Sequence, residues 1–203
     1  MAEPRKRRER RLPSSRKAKP LTATSLENAA VFYLGRFASS SGNLRRVLMR
    51  KVARSTRANP DADVDAEAGA KMVDAIIARF VQKGFIDDRA YADQAAASLA
   101  RRGNSRFSIA GKLAQKGVEA EMVDAAIETL DEDSGSSEVA AACALVRRKR
   151  MGPYRLPAKR AEWKDKDLAS LARAGFRLDL ARRVLKAPDV AALEAMARGE
   201  DSD

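Results

Sequence analysis

Apolar residues recur at three- and four-residue intervals from about residue 26 to residue 186. No segment sustains the apolar–polar alternation, with β-branched or aromatic enrichment, that marks a half-buried strand. Met72, Val73, Ile76, Ile77, Phe80 and Val81 fall on one stripe of a helix, and Lys71, Asp74, Arg79 and Lys83 occupy the rest of the cylinder. Gly84 follows as a left-handed C-cap. Asp87 then supplies an N-cap carboxylate to a helix carrying Tyr91, Ala95 and Leu99 at i, i+4 and i+8.

The same punctuation returns. Gln115-Lys116-Gly117 ends a helix as Gln82-Lys83-Gly84 does, Ala174-Gly175 ends another, and each glycine precedes an apolar residue (Phe85, Val118, Phe176) placed to pack back on the turn. Met72-Val73-Asp74-Ala75-Ile76-Ile77 is echoed by Met122-Val123-Asp124-Ala125-Ala126-Ile127, and more loosely by Leu180 to Leu185. The chain is therefore expected to be all-α, a tandem array of three three-helix repeats forming an elongated curved body, since each unit buries its apolar face against its neighbours. Residues 25–187 hold the array, as units of about 26–84, 87–131 and 136–186. Predicted helices span 26–40, 43–54 and 66–83, then 87–102, 106–116 and 119–131, then 136–150, 164–174 and 177–186. Longer loops fall near Asn59-Pro60 and from Arg155 to Trp163.

Charge sharpens this picture. Lysine and arginine total 40 against 28 acidic residues, a net charge of +12 that favours polyanionic partners. Residues 1–24 carry +7 of it among Pro4, Pro13 and Pro20 with almost no large apolar residue, and read as a disordered basic arm. Residues 188–203 read as an acidic C-terminal tail, and the repeat region remains basic. With no histidine, imidazole acid/base catalysis and most zinc sites are excluded. Cys143, in Ala-Ala-Cys-Ala-Leu-Val, reads as a buried structural thiol. No apolar run resembles a leader or a membrane span, so a cytoplasmic location without membrane contact is expected.

Catalytic candidates are weak. Asp87-Asp88 stands where an N-cap and a first-turn acid belong, and Asp131-Glu132-Asp133 lies at a Ser/Gly-rich linker. A metal-dependent nuclease is the minority reading, and no metal or cofactor is expected. Gly111-Lys112 lacks the hydroxyl residue and glycine spacing of a phosphate loop. Tyr154 and Trp163 flank a basic insertion, where they either stack bases or, more commonly, anchor the loop.

The basic helices carry more. With Leu44, Val47, Leu48 and Val52 turned inward, Arg46, Arg50 and Arg54 share the outward face. Further cations cluster at Arg36 and Arg45, at Arg101, Arg102, Arg106 and Lys112, and at Arg147, Arg148, Lys149, Arg150 and Arg155. A ridge recurring in each unit suits a phosphate backbone or an acidic protein surface, and the plainer reading is a solvated face.

Three segments resemble the RecX family, regulators of the bacterial recombinase RecA: Tyr33 to Ser40 with Arg45-Arg46-Val47-Leu48, Leu99 to Arg106, and above all Lys83-Gly84-Phe85-Ile86-Asp87-Asp88-Arg89-Ala90-Tyr91-Ala92. The resemblance covers roughly residues 26–186. It implies a monomeric, non-catalytic regulator that binds RecA and its filament on single-stranded DNA, with weak or indirect DNA contact, and restrains recombinase, ATPase and coprotease activity in DNA repair and the SOS response. Gly84, Phe85, Asp87, Asp88 and Tyr91 match the family motif and are read as helix-docking residues. The partner contacts are assigned to the basic ridge by charge and face. A stand-alone DNA-binding protein with helix-turn-helix readers is the alternative.

Overall fold

The computed structural model describes residues 21–60, 64–132 and 138–200. Among these, all regular structure is helical: α1 (Ala23–Leu34), α2 (Ser41–Ala58), α3 (Ala66–Gln82), α4 (Asp88–Arg101), α5 (Arg106–Gln115), α6 (Ala120–Glu132), α7 (Glu138–Lys149), α8 (Pro157–Arg173), α9 (Leu178–Leu185) and α10 (Val190–Arg198). A 3₁₀ turn over Gly152–Tyr154 links α7 to α8.

The buried residues form three cores in chain order. Leu26, Leu44, Leu48, Val52, Val73 and Phe80 close the first between α1, α2 and α3. Ala92, Ala96, Ile109, Leu113, Val123 and Leu130 close the second between α4, α5 and α6. Leu145, Val146, Leu171, Val184 and Leu193 close the third. Each fully buried leucine contributes roughly 1.5–3 kcal/mol over exposure, so each unit depends on a handful of large side chains. N-cap side chains start the helices: Asp65, Asp87 and Asp189 accept from the amides of Ala68, Ala90 and Ala192 at 2.7, 2.9 and 2.8 Å. Gly84, Gly117 and Gly175 end them in the left-handed region, at φ +72°, +74° and +88°.

The units are joined by one device used twice. Ser40, N-cap of α2, accepts from the amide of Asn43 at 3.2 Å while its hydroxyl donates to the carbonyl of Lys116, the C-cap residue of α5. Ser105, N-cap of α5, accepts from Ser108 N at 3.2 Å and donates to the carbonyl of Ala174, the C-cap residue of α8, at 2.6 Å. Beside each serine, the next backbone amide finds an acid on the first turn of a neighbouring helix. Ser41 N donates to Asp88 Oδ1 at 2.7 Å, and Arg106 N donates to Glu138 Oε2 at 3.0 Å. The middle helices α8, α5 and α2 thus run end to end, each negative C-terminus against the positive N-terminus of the next.

Several sequence expectations are corrected. The basic arm was drawn through residue 24, but Leu21 is buried in the first core and Thr22 caps α1 through a reciprocal pair with Ser25. Residues 1–20 lie outside the described residues. Helix α2 runs four residues past Arg54, because Ser55 is buried and Thr56 bonds back to the carbonyl of Val52 at 3.3 Å. The expected loop from Arg155 to Trp163 is mostly helix: Pro157 stands in the first turn of α8, where its missing N–H costs nothing. The expected tail holds α10, capped by Asp189 and pinned by Leu193, which is 1% exposed. Val118 and Phe176 are buried behind their glycines, whereas Phe85 packs edge-on against Phe80 at 5.5 Å but stays 65% exposed, and Ile86 takes the buried place.

Candidate partner-binding surface

The basic side chains singled out in the sequence divide into tethered and free ones. Arg45 pairs with Asp74 through Nε and Nη2, at 2.6 and 3.2 Å, which turns it toward α3 and away from the outward row. That bond, with the attraction between the charges, holds Asp74 below the ordinary carboxylate range and Arg45 above the guanidinium range. Arg106 lies 3.6 Å from Glu138 at the second joint, and Arg147 lies 3.5 Å from Glu194 of α10. Arg148 donates to the carbonyl of Arg102, Lys149 to the hydroxyl of Ser170 at 2.8 Å, and Lys112 to Asn104. Arg36 stacks over Phe32 at 4.2 Å from the ring centre.

Arg46, Arg50 and Arg54 remain exposed along α2 with no carboxylate in ion-pair range among the described residues; Arg46 reaches only the carbonyl of Gly42, at 3.4 Å. Arg101, Arg102 and Arg150 are exposed as well. Arg150 sits at φ +51°, in a region that disfavours side chains, where the chain turns sharply out of α7. The ridge is not one repeated helix. Arg36, Arg101 with Arg102, and Arg147 to Arg150 stand at the ends of the first helices of their units, whereas Arg46, Arg50, Arg54, Arg106 and Lys112 lie on middle helices.

One groove joins part of the set. Tyr91, Ser98, Arg102, Lys112 and Lys116 line a hollow of about 300 Å³ between α4 and α5. Burial, and secondarily the charges of Tyr33 and Asp88, push the Tyr91 phenol up. The family-motif residues meet at the first joint. Asp87 caps α4, Asp88 takes both the amide and the hydroxyl of Ser41, and Asn43 donates to the hydroxyls of Tyr33 and Ser39 at 3.0 and 2.8 Å. Gly42 and Gly117 pack backbone on backbone there, since a Cβ on Gly42 would stand 2.5 Å from the Gly117 carbonyl oxygen.

Sequence reading missed two features of the surface. Phe37 and Phe85, 56% and 65% exposed, edge a hollow of about 190 Å³ over the first joint. Lys159 and Arg160 of α8 fall in the expected loop, and Pro157 followed by helix-forming residues is the signal that places them on a helix. Tyr154 anchors its segment by donating to Glu194 at 2.7 Å, and Trp163 lies between Arg155 and Lys166, 4.3 and 4.5 Å from its ring centre. Among the described residues, no three of His, Cys, Asp and Glu gather as metal ligands, and no helix is long and apolar enough to cross a membrane. Asp133 and the side chains of Asp131 and Glu132 lie outside the described residues.

Fold and surface together define a helical-repeat protein with a cationic exterior. The RecX model for the second three-helix domain matches residues 87–127, the segment that forms α4, α5 and most of α6. The chain is 42% identical over 183 residues to the regulatory protein RecX of Myxococcus xanthus (strain DK1622), covering 90% of this chain and 94% of that relative. It is 31% identical over 150 residues to the regulatory protein RecX of Thermobifida fusca (strain YX), covering 70% and 76%. No solved structure matches. The chain belongs to the RecX family of regulatory proteins.

Proposed function

We propose that this protein is a non-catalytic regulator that binds the RecA filament on single-stranded DNA and inhibits its recombinase, ATPase and coprotease activities. The observation that carries the reading is the row Arg46, Arg50 and Arg54, three exposed guanidinium groups spaced one turn apart with no carboxylate to neutralise them. Aligned like charges repel, and an acidic surface or phosphate backbone would relieve that repulsion. Arg101 and Arg102, with Lys112 in the groove between α4 and α5, extend the basic surface to the second unit. Several weak contacts on one rigid chain multiply through effective concentration when the partner is itself a repeating polymer. Binding therefore requires the filament more than the isolated protomer, and DNA contact is secondary.

The test is co-sedimentation of the full chain with RecA assembled on single-stranded DNA and a slowly hydrolysed ATP analogue. The chain is expected in the pellet, and Arg46→Glu with Arg50→Glu is expected to weaken retention at least tenfold with helicity unchanged. Equal retention of the double variant would move the contact off α2. Tight, sequence-selective duplex binding without RecA would favour a stand-alone DNA-binding protein.

A further inference from the structure

A second cationic feature shares no residue with the ridge. Helices α8 and α9 part to leave a cleft of about 440 Å³, floored by Ala161, Leu168 and Leu185. Four cations rim it: Arg160 and Lys164 one turn apart on α8, Arg182 on α9 and Lys186 at the C-cap of that helix. Arg160 is fixed as part of the wall, donating to the carbonyls of Pro188 at 2.7 Å and Pro153 at 3.0 Å. Lys164, Arg182 and Lys186 are exposed, and among the described residues no carboxylate lies in ion-pair range of any of them. A neighbouring hollow shares Arg182 and Lys186, adds Arg183 and Asp179, the latter paired with Arg177 at 3.4 Å, and continues the apolar floor through Ala187, Pro188 and Met196.

We propose that this cleft is a docking site for an acidic, amphipathic helical segment of a protein partner. The aliphatic floor takes one or two apolar side chains, and the rim takes the flanking carboxylates. The floor decides between polyanions. Single-stranded nucleic acid is held by aromatic faces that stack its bases as well as by cations, and no aromatic ring lines either hollow. A helix laid in a groove instead needs aliphatic contacts for its apolar face, and Leu168, Leu185 and Met196 supply them along the two adjoining hollows. The rim adds charge complementarity, which speeds encounter and excludes basic segments. The site is independent of the ridge reading and stands or falls separately from it.

The experiment uses the full chain and two labelled probes followed by fluorescence anisotropy. One is a sixteen-residue peptide with leucine or phenylalanine at i, i+3, i+4 and i+7 and glutamate at the other positions; the other is oligothymidylate of similar length. Saturable peptide binding is expected, weakened at least tenfold by Lys164→Glu with Arg182→Glu. The same loss is expected from Ala161→Phe, which fills the floor at an exposed position without changing charge or threatening the fold. Lys71→Glu, at an exposed cation of α3 outside both the cleft and the ridge, is expected to leave it unchanged. Absence of saturable peptide binding overturns the proposal. So does peptide binding that is indifferent to Ala161→Phe, or displacement of the peptide by oligothymidylate with Ala161→Phe having no effect, which would make the cleft a phosphate site.

Discussion

Asp167 is 4% exposed, and three donors converge on it: Arg155 Nε at 2.7 Å, Arg155 Nη2 at 2.6 Å and the amide of Gly152 at 3.2 Å. Asp167→Ala strands a half-buried guanidinium and an amide without their acceptor, and breaking a buried pair by removing one partner costs about 3 kcal/mol. Urea unfolding is expected to show a loss of that order, and a loss under about 1 kcal/mol contradicts this role. Tyr154 gives a pH signature. Burial, then its hydrogen bond to Glu194, push its phenol up to about 12. A folded-state value above the unfolded value of about 10 means the bond contributes fully below pH 10 and is lost as pH rises through about 12. The tyrosinate absorbance removed by Tyr154→Phe is expected to have its midpoint near 12, and a midpoint near 10 would contradict the contact. Neither partner was legible beforehand. Asp167 and Glu194 lie in stretches read as helix surface and acidic tail, and only the packing of α8 and α10 brings them to Arg155 and Tyr154.

At the scale of elements, the two serine joints set how units follow one another. Both use the cap serine twice and borrow an acid from the next unit, which gives Asp88 a mechanical reading: it ties α4 to the first turn of α2. Asp88→Ala is expected to speed hydrogen exchange of the Ser41 amide at least tenfold while the core amides of Val73 and Ile76 stay protected; unchanged exchange at Ser41 would refute the joint. Gly103, at φ +77°, allows α7 to approach so closely that a Cβ would stand 2.6 Å from Leu145 N. The helices with apolar periodicity and glycine stops, α3 to α5, were legible because local pattern and packing agree. α8 was half hidden, since Lys159, Arg160, Glu162, Lys164, Asp165 and Lys166 mask its apolar period. α10 was missed because its charge was read ahead of Leu193 and Met196.

Across the whole molecule, the three cores and the end-to-end middle helices make the carrier for surface charge. The all-helical repeat architecture was visible in the echo of Met72 to Ile77 at Met122 to Ile127. The division of the ridge into tethered and free cations was not, because Asp74, Glu138 and Glu194 reach their arginines only through the fold. The expected surface is consequently narrower, centred on Arg46, Arg50 and Arg54 with Arg101 and Arg102. If these bind a polyanionic groove, affinity falls steeply with salt, and the variant Arg46→Glu with Arg50→Glu is expected to show a shallower dependence than the parent chain. The central claim is tested most directly by the DNA-dependent ATP hydrolysis of RecA on single-stranded DNA, measured with the purified full chain at substoichiometric ratio. Inhibition that the double variant relieves is the result expected here, and hydrolysis unchanged at every ratio of this chain to RecA would contradict it.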